Sequence, residues 1–335
     1  MMIGAAVIGL GYWGPNLARN FAAGEGVELR MLCDKDQRRL KRLEQQYQGV
    51  QSTVAAEHVF ESDRIDLVAI ATPVHTHHAL AKSALENGKH VLIEKPLTAD
   101  VGQAEELVDI AERKGLVLMV DHTFIYHPAV EKIQDIVKRG EIGDIWYYDS
   151  VRINLGLFQH DISVLWDLAP HDASIMEHLI NRPVQWVQAT GACHAGQKVE
   201  SMAYVTVQFA DNIMGHVHVN WLSPVKLRNV IIGGSKRMIV YDDNLVTEKI
   251  KIYDKGVELH SIDGVHQAMV EYRVGDMYAP AILTGEALHR AVQHLVYCIR
   301  EQRAPVTDGE AGLRVVRILD AAQRSIRSDG GRIML

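Results

Sequence analysis

The sequence predicts an α/β chain in two domains: a doubly wound parallel sheet, then an α+β domain with a largely antiparallel, open-faced sheet. Three observations carry this. Short apolar runs alternate with helical segments through the first 122 residues, as βαβ units require. From about residue 203 to residue 259 the runs follow one another across turn signals with no helix between, as antiparallel strands do. And 335 residues exceed one ordinary core, so the division is placed at residues 1–122 and 123–335.

The chain opens on Ile3-Gly4-Ala5-Ala6-Val7-Ile8, an apolar run of strand length, and passes into Gly9-Leu10-Gly11-Tyr12-Trp13-Gly14 and a helical segment over 16–23. Each glycine of this G-x-G-x-x-G turn has a physical role. Gly9 lets the strand turn sharply, Gly11 lets backbone approach a pyrophosphate, and Gly14 lets the helix pack close against the strand. The helix N-terminus offers N–H groups and a positive dipole end to phosphates. Gly9, Gly11, Tyr12, Trp13 and Gly14 are therefore candidate cofactor-binding residues; a purely structural strand–helix turn is the alternative until context supports the motif.

A second strand over 27–33 ends at Asp34, about 20 residues past Gly14, where such a fold places the acid that bonds the adenosine ribose. A carboxylate there repels a 2′-phosphate and favours NAD. Lys35, Arg38 and Arg39 beside it keep NADP as the alternative. The other reading of Asp34 is an N-cap for a helix over 37–47. Strands follow at 66–71, 90–93 and 116–120, with helices over 76–87 and 101–114. Right-handed crossovers then give a parallel sheet covered on both faces. Ligands bind beyond the carboxyl ends of its strands, which singles out Thr72-Pro73, Glu94-Lys95-Pro96 and Asp121-His122. Lys95 is the most informative, an ammonium at the ligand edge with Pro96 holding its backbone extended. A surface salt bridge beside a turn is the alternative there.

With these residues in place the chain resembles the glucose–fructose oxidoreductase / inositol dehydrogenase family, Gfo/Idh/MocA. The matching stretches are Gly9-x-Gly11-x-x-Gly14, Thr72-Pro73-Val74-His75-Thr76-His77 and Gly88-Lys89-His90-Val91-Leu92-Ile93-Glu94-Lys95-Pro96-Leu97. Similarity continues through His127-Pro128-Ala129-Val130, Gly140-Glu141-Ile142-Gly143 and Asp308-Gly309-x-x-Gly312, across essentially the whole chain. The family commonly has Asn where Val74 stands, so only a backbone contact carries over at that position. The resemblance implies an NAD(P)-binding Rossmann domain with Thr72, Pro73, His77, Glu94, Lys95 and His122 at the cofactor, then a substrate-binding and oligomerisation domain.

In the second half a helix over 127–139 leads to a strand over 145–154, a loop over 156–161 and a helix to about residue 180. Pro170 fits that helix if it lies in the first turn, where N–H groups lack intrahelical partners. Asp167 and His171 share a helical face, and an Asp beside a His orients the imidazole and raises its pKa for acid–base work. The resemblance implies that this pair closes over the nicotinamide opposite Lys95. His171 would exchange the hydroxyl proton, Asp167 would orient it, and Lys95 would hold the substrate oxygen. Leu168-Ala169-Pro170 between them departs from the small residues common in the family. Asp172 reads as a first-turn acid, or as a group reaching a sugar hydroxyl. Arg152, Asn154, His160 and Asp161 are further substrate-side candidates.

Strands are expected at 203–209, 214–221, 228–232, 238–242 and 249–253, and helices over 285–302 and 313–328. An apolar face left open in that sheet would be a large exposed patch, and in the family it meets another subunit. A homodimer or homotetramer is expected, with a monomer covered by its own helices as the alternative. Seventeen histidines raise the question of a metal. His75 and His78 share a helical face, and His216 and His218 one face of a strand, but no full ligand set is spaced around either pair. No metal is expected.

Composition bounds the rest. Hydrophobic content of 47% with 23% charged residues describes a soluble globular chain, and a net charge of −7 argues against nucleic acid. Three cysteines at wide spacings suit a reducing cytoplasm. No run approaches a membrane span, and the apolar start, interrupted by glycines and lacking a basic flank, reads as a strand. The function expected is an NAD(P)-dependent oxidoreductase acting on a sugar, polyol or sugar nucleotide. The alternatives are a reductase of another small carbonyl, diol or imine, and a silent dinucleotide-binding sensor.

Overall fold

The computed structural model describes residues 2–156, 162–196, 198–261 and 268–335. The first elements are β1 (Ile3–Ile8), α1 (Gly14–Ala23), β2 (Val27–Cys33), α2 (Gln37–Glu44), β3 (Gln51–Thr53), α3 (Glu57–Phe60), β4 (Leu67–Ile70), α4 (His77–Glu86), β5 (His90–Glu94), α5 (Val101–Lys114) and β6 (Leu118–Asp121). There follow α6 (Pro128–Lys138), β7 (Ile145–Leu155), α7 (Val164–Ile180), β8 (Val184–Ala192), β9 (Met202–Phe209), β10 (Met214–Asn220) and β11 (Leu222–Gly234). The chain closes with β12 (Met238–Asp242), β13 (Ile250–Ser261), β14 (Ala268–Tyr278), α8 (Ala287–Glu301), α9 (Gly309–Arg327) and β15 (Ile333–Met334).

Two compact units emerge, each built from two segments: Met1–His127 with Gly285–Asp320, and Pro128–Thr284 with Ala321–Leu335. The division expected at residue 122 carried 285–320 with the second domain; in the structure that segment packs into the first unit. The reason is local. Thr307 brackets β6, its carbonyl accepting from Val120 N–H at 2.8 Å and its hydroxyl donating to Val120 O at 2.7 Å. That covers the edge of a sheet, which otherwise exposes unpaired backbone. Asp308 caps the start of α9 through Ala311 N–H at 2.8 Å. A Cβ on Gly312 would stand 2.5 Å from Val120 and 3.2 Å from Leu97, so the D-G-x-x-G stretch is a close-packing motif.

The first unit's sheet has the order β3-β2-β1-β4-β5-β6, every pairing parallel. Strand β1 is buried from end to end and β4 likewise, as a sheet covered on both faces demands. The order reverses between β1 and β4, and ligands bind at the strand ends beside such a reversal. Helix α5 runs as expected because its ends are marked in sequence: Asp100 accepts from Gln103 N–H at 2.9 Å, and Gly115 closes it with φ +62°.

The second unit carries a nine-stranded mixed sheet, ordered β14-β13-β12-β11-β7-β10-β9-β8-β15, antiparallel except where β10 runs alongside β7. One face is covered by α7, close enough that a Cβ on Gly215 would strike Met176 Sδ at 2.3 Å. The other face carries Tyr204, Met214 and Ile231, all exposed. Helix α7 begins earlier than the proline suggested, at Val164, which puts Pro170 inside it rather than in its first turn. A proline there leaves the carbonyl of Trp166 without its intrahelical donor. The buried residues along α7, Leu165, Ala169, Ala173, Met176 and Ile180 among them, hold the helix by packing instead. Strands β3, β8, β14 and β15 and helix α3 were not foreseen. Among the described residues no helix is long and apolar enough to cross a membrane.

Candidate active site

In the first unit the candidate residues gather at the carboxyl ends of β1, β2, β4, β5 and β6. Gly9 sits at φ +93°, and a Cβ there would meet Ala71 O at 2.6 Å. A Cβ on Gly14 would lie 1.9 Å from Gly9 O, so no other residue fits. Gly11 differs: the nearest atom to its Cβ would be Arg39 Nη1 at 3.8 Å. Protein packing demands glycine at positions 9 and 14 but not at 11. The missing Cβ at Gly11 leaves its backbone open on that side. Trp13 at the α1 N-cap makes no side-chain bond to the first turn, in which Pro15 has no N–H and Asn16 N–H donates to Trp13 O at 2.8 Å. Tyr12 is exposed, its ring stacked on Trp13 at 6.4 Å.

Asp34 is not the N-cap of α2; Asp36 is, accepting from Arg38 N–H. Asp34 instead fastens the turn. Its Oδ2 accepts from Leu10 N–H at 2.6 Å and its Oδ1 from Asp36 N–H at 2.7 Å, with Arg39 Nη1 at 3.6 Å. Each carboxylate oxygen keeps a further lone pair for a ribose hydroxyl. Arg39 therefore stands beside both Gly11 and Asp34, at the place where a 2′-phosphate would need a cation.

After β4, Thr72 Oγ1 and Thr76 Oγ1 are 2.7 Å apart, and Thr76 donates to Pro73 O at 2.7 Å. His77, expected at the cofactor, is a buried strut. Its Nε2 faces Thr72 O at 2.9 Å and its Nδ1 faces Pro96 O at 3.0 Å, joining the ends of β4 and β5. Burial lowers its pKa, with the carbonyls pulling the other way. The Lys95–Pro96 peptide is cis.

Glu94 and Asp121 stand opposite in the β5–β6 register. Desolvation first, then the charge of Asp121 and a hydrogen bond to it, drive the Glu94 carboxyl well above its ordinary pKa. His122 is buried and its pKa falls to about 3, mainly by desolvation and further by the Lys95 charge. It is a neutral imidazole, and among the described residues neither ring nitrogen has a hydrogen-bond partner.

In the second unit Asp167 and His171 lie half-buried one turn apart on α7. Trp221, fully buried, donates its indole N–H to Asp167 Oδ2 at 3.3 Å. Asn154 is half-buried at the end of β7. Arg152, expected on the substrate side, is engaged within the protein: it is buried and forks onto Asp172, Nε to Oδ2 at 2.6 Å and Nη2 to Oδ1 at 3.3 Å. Asp172, well inside α7, is that cation's partner rather than a first-turn acid. His160 and Asp161 lie outside the described residues.

His78 bonds Glu106 at 2.6 Å, and His216 meets Asp149 at 3.1 Å while Tyr204 stacks on His218 at 4.3 Å. Among the described residues no three His, Cys, Asp or Glu side chains gather where a metal ion could be held. Sequence reasoning flagged Asp121 only as a strand end and missed Trp221 and the Arg152–Asp172 pair. The indole at the end of an expected strand was the one available signal for Trp221.

Residues 3–122 match the family model described as an oxidoreductase family with an NAD-binding Rossmann fold, and residues 130–240 match the GFO/IDH/MocA C-terminal domain. Among curated proteins, the chain is 24% identical to D-apiose dehydrogenase of Paraburkholderia graminis, covering 96% of this chain and 87% of that one. It is 24% identical to the NAD-dependent scyllo-inositol 2-dehydrogenase of Bacillus subtilis, covering 96% and 94%. Among solved structures, UDP-N-acetylglucosamine 3-dehydrogenase from Acidithiobacillus ferrooxidans superposes with a TM-score of 0.82 at 23% identity, over 98% of this chain and 99% of that one. That likeness shows the fold.

Proposed function

The chain belongs to the Gfo/Idh/MocA oxidoreductase family, with an NAD-binding Rossmann domain at residues 3–122, and from that premise we propose the chemistry of its site. The reading is an NAD-dependent dehydrogenase that oxidises a carbinol carbon of a sugar, polyol or sugar nucleotide, or reduces the matching carbonyl. The observation that carries it is the glycine turn, where packing forces Gly9 and Gly14 while Gly11 has open space beside it, as a backbone that a pyrophosphate approaches would have.

The nicotinamide, when bound, supplies the hydride chemistry. The chain's residues position and move protons. Gly9 to Gly14 and the α1 N-terminus hold the pyrophosphate. Asp34 takes the ribose hydroxyls, which favours NAD over NADP, with Arg39 the residue that would admit a 2′-phosphate. Thr72, Pro73 and the neutral imidazole of His122 border the nicotinamide end, and His77 acts behind them by holding two strand ends together. Lys95 holds the reacting oxygen and stabilises charge that develops on it. His171 exchanges the hydroxyl proton, oriented by Asp167, whose own place is set by Trp221. Asn154 is a substrate-side hydrogen-bonding group, while Arg152 supports α7 through Asp172.

The test is NADH fluorescence during incubation with a panel of sugars, polyols and sugar nucleotides, repeated with Lys95→Ala and His171→Ala. Each substitution should lower turnover on the order of 10²-fold, the usual worth of an acid–base group. Near-normal rates in either variant would remove that residue from the mechanism.

A further inference from the structure

The first unit contains a run of polar contacts that cofactor and substrate binding leave unexplained. Trp13, in the glycine turn, donates its indole N–H to Asp121 Oδ2 at 2.8 Å. Thr123 donates to the other oxygen, Oδ1, at 2.7 Å. Asp121 is buried at the end of β6 and stands opposite Glu94 at the end of β5, whose buried Oε1 has no other hydrogen-bond partner among the described residues. Glu94 in turn accepts from the backbone N–H of Lys95 at 3.3 Å, and the Lys95 charge acts on both Glu94 and His122. Every contact is short-range, yet the series runs from the dinucleotide turn to the lysine.

Two carboxyls facing each other in a low-dielectric site do not both ionise. Burial and the neighbouring Asp121 charge push the Glu94 carboxyl well above its ordinary pKa, which favours its neutral form. The Trp13 indole N–H and the Thr123 hydroxyl both donate to the Asp121 carboxyl, one to each oxygen. Lys95 and Tyr126 are the other titratable groups that act on this pair, and the Lys95 charge also acts on His122. A displacement of Trp13 therefore changes the donor set of Asp121, the carboxyl opposite Glu94.

We propose that Trp13, Asp121 and Glu94 form a positioning chain that couples occupancy of the glycine turn to placement of the Lys95 ammonium. The inference rests on the reading above, in which the turn holds a dinucleotide and Lys95 the reacting oxygen. Trp13 and Asp121 are then positioning residues, acting on the chemistry through Lys95.

A double-mutant cycle on the full chain tests it. NADH binding is titrated by fluorescence for the parent, Trp13→Phe, Asp121→Asn and the double variant. In parallel, acetylation of Lys95 by acetic anhydride is followed by peptide mass spectrometry without NADH, with Lys114 as the internal control. Each single variant should weaken NADH binding on the order of 10-fold, the worth of one charge-assisted hydrogen bond, and the double variant no further than the weaker single. Lys95 should be acetylated several-fold faster in both singles while Lys114 is unchanged. Losses that multiply in the double variant, or an unchanged Lys95 rate beside weakened NADH binding, would overturn the coupling; a role confined to turn stability gives the second pattern. Thr123→Val, which removes the other donor to Asp121, replaces Asp121→Asn if that variant fails to melt cooperatively. If the parent binds no NADH, the cofactor reading fails, and Lys95 acetylation in Trp13→Phe still decides whether the chain of contacts reaches the lysine.

Discussion

Asp34 shows how much one side chain can be asked to do. Its spacing from Gly14 underlies its proposed role as the ribose acid, and the structure adds that the same carboxylate pins Leu10 N–H and Asp36 N–H. Asp34→Ala should therefore weaken NAD binding on the order of 10-fold through the lost charge-assisted bonds, and NADP binding by less, since the 2′-phosphate no longer meets a carboxylate. Titration of both dinucleotides checks this; equal NAD binding by variant and parent would remove the ribose assignment. Asp34 was legible because the motif counts residues along the chain. Arg152 was not, because a cation in a strand reads as a ligand contact until the carboxylate facing it is known, and Asp172 lies on a helix 20 residues away. Trp221 was hidden for the same reason, its indole meeting Asp167 from 54 residues away.

Among the elements, the glycine turn separates structural from functional need. Gly14→Ala drives a Cβ to 1.9 Å from the backbone oxygen of Gly9, so α1 must shift. It should lower the melting temperature and weaken NAD binding on the order of 100-fold, as misplacing a binding group does. Gly11→Ala meets only Arg39 Nη1 at 3.8 Å, so its melting temperature should match the parent while NAD binding still falls. Calorimetry and fluorescence titration, run on both variants, distinguish the two; a Gly11→Ala protein that binds NAD normally would place the pyrophosphate elsewhere. Elements with marked ends were legible, as α5 was with Asp100 and Gly115. Helix α7 was misjudged at its start because Pro170 signals a first turn only when tertiary packing does not override propensity.

At the scale of the whole molecule, two histidines tie stability to pH. Burial lowers His122 to about 3 and His178 to about 4. Both are neutral in the folded chain, and the unfolded chain binds protons more readily below its ordinary histidine pKa, about 6.5. Stability is therefore fully present above that value and falls as pH drops from there towards 4, by roughly 1–2 kcal/mol per histidine at pH 5. Urea midpoints at pH 7 and pH 5 measure it, and His178→Gln should flatten part of the slope. The open face of the nine-stranded sheet carries the other molecule-wide expectation, a homodimer or homotetramer formed through it. Light scattering at micromolar concentration should report more than one chain per particle, and Met214→Glu on that face should lower the mass. A parent that runs as a monomer would count against the assembly.

Taken alone, the sequence determined the class of the fold, the cofactor turn, the acid at the end of β2 and the strand end that presents Lys95. These are written in short-range spacing: glycines at fixed offsets, apolar runs of one strand's length, and helices with chemical marks at their ends. Only the tertiary structure decided that residues 285–320 complete the first unit, that Arg152 belongs to Asp172, and that His77 is a strut. It also decided that Trp13 donates to Asp121 and that Asp121 stands opposite Glu94. The physical reason is the same in each case. A buried polar group must find its partner among whatever the fold brings alongside, and local spacing along the chain carries no record of partners that far away.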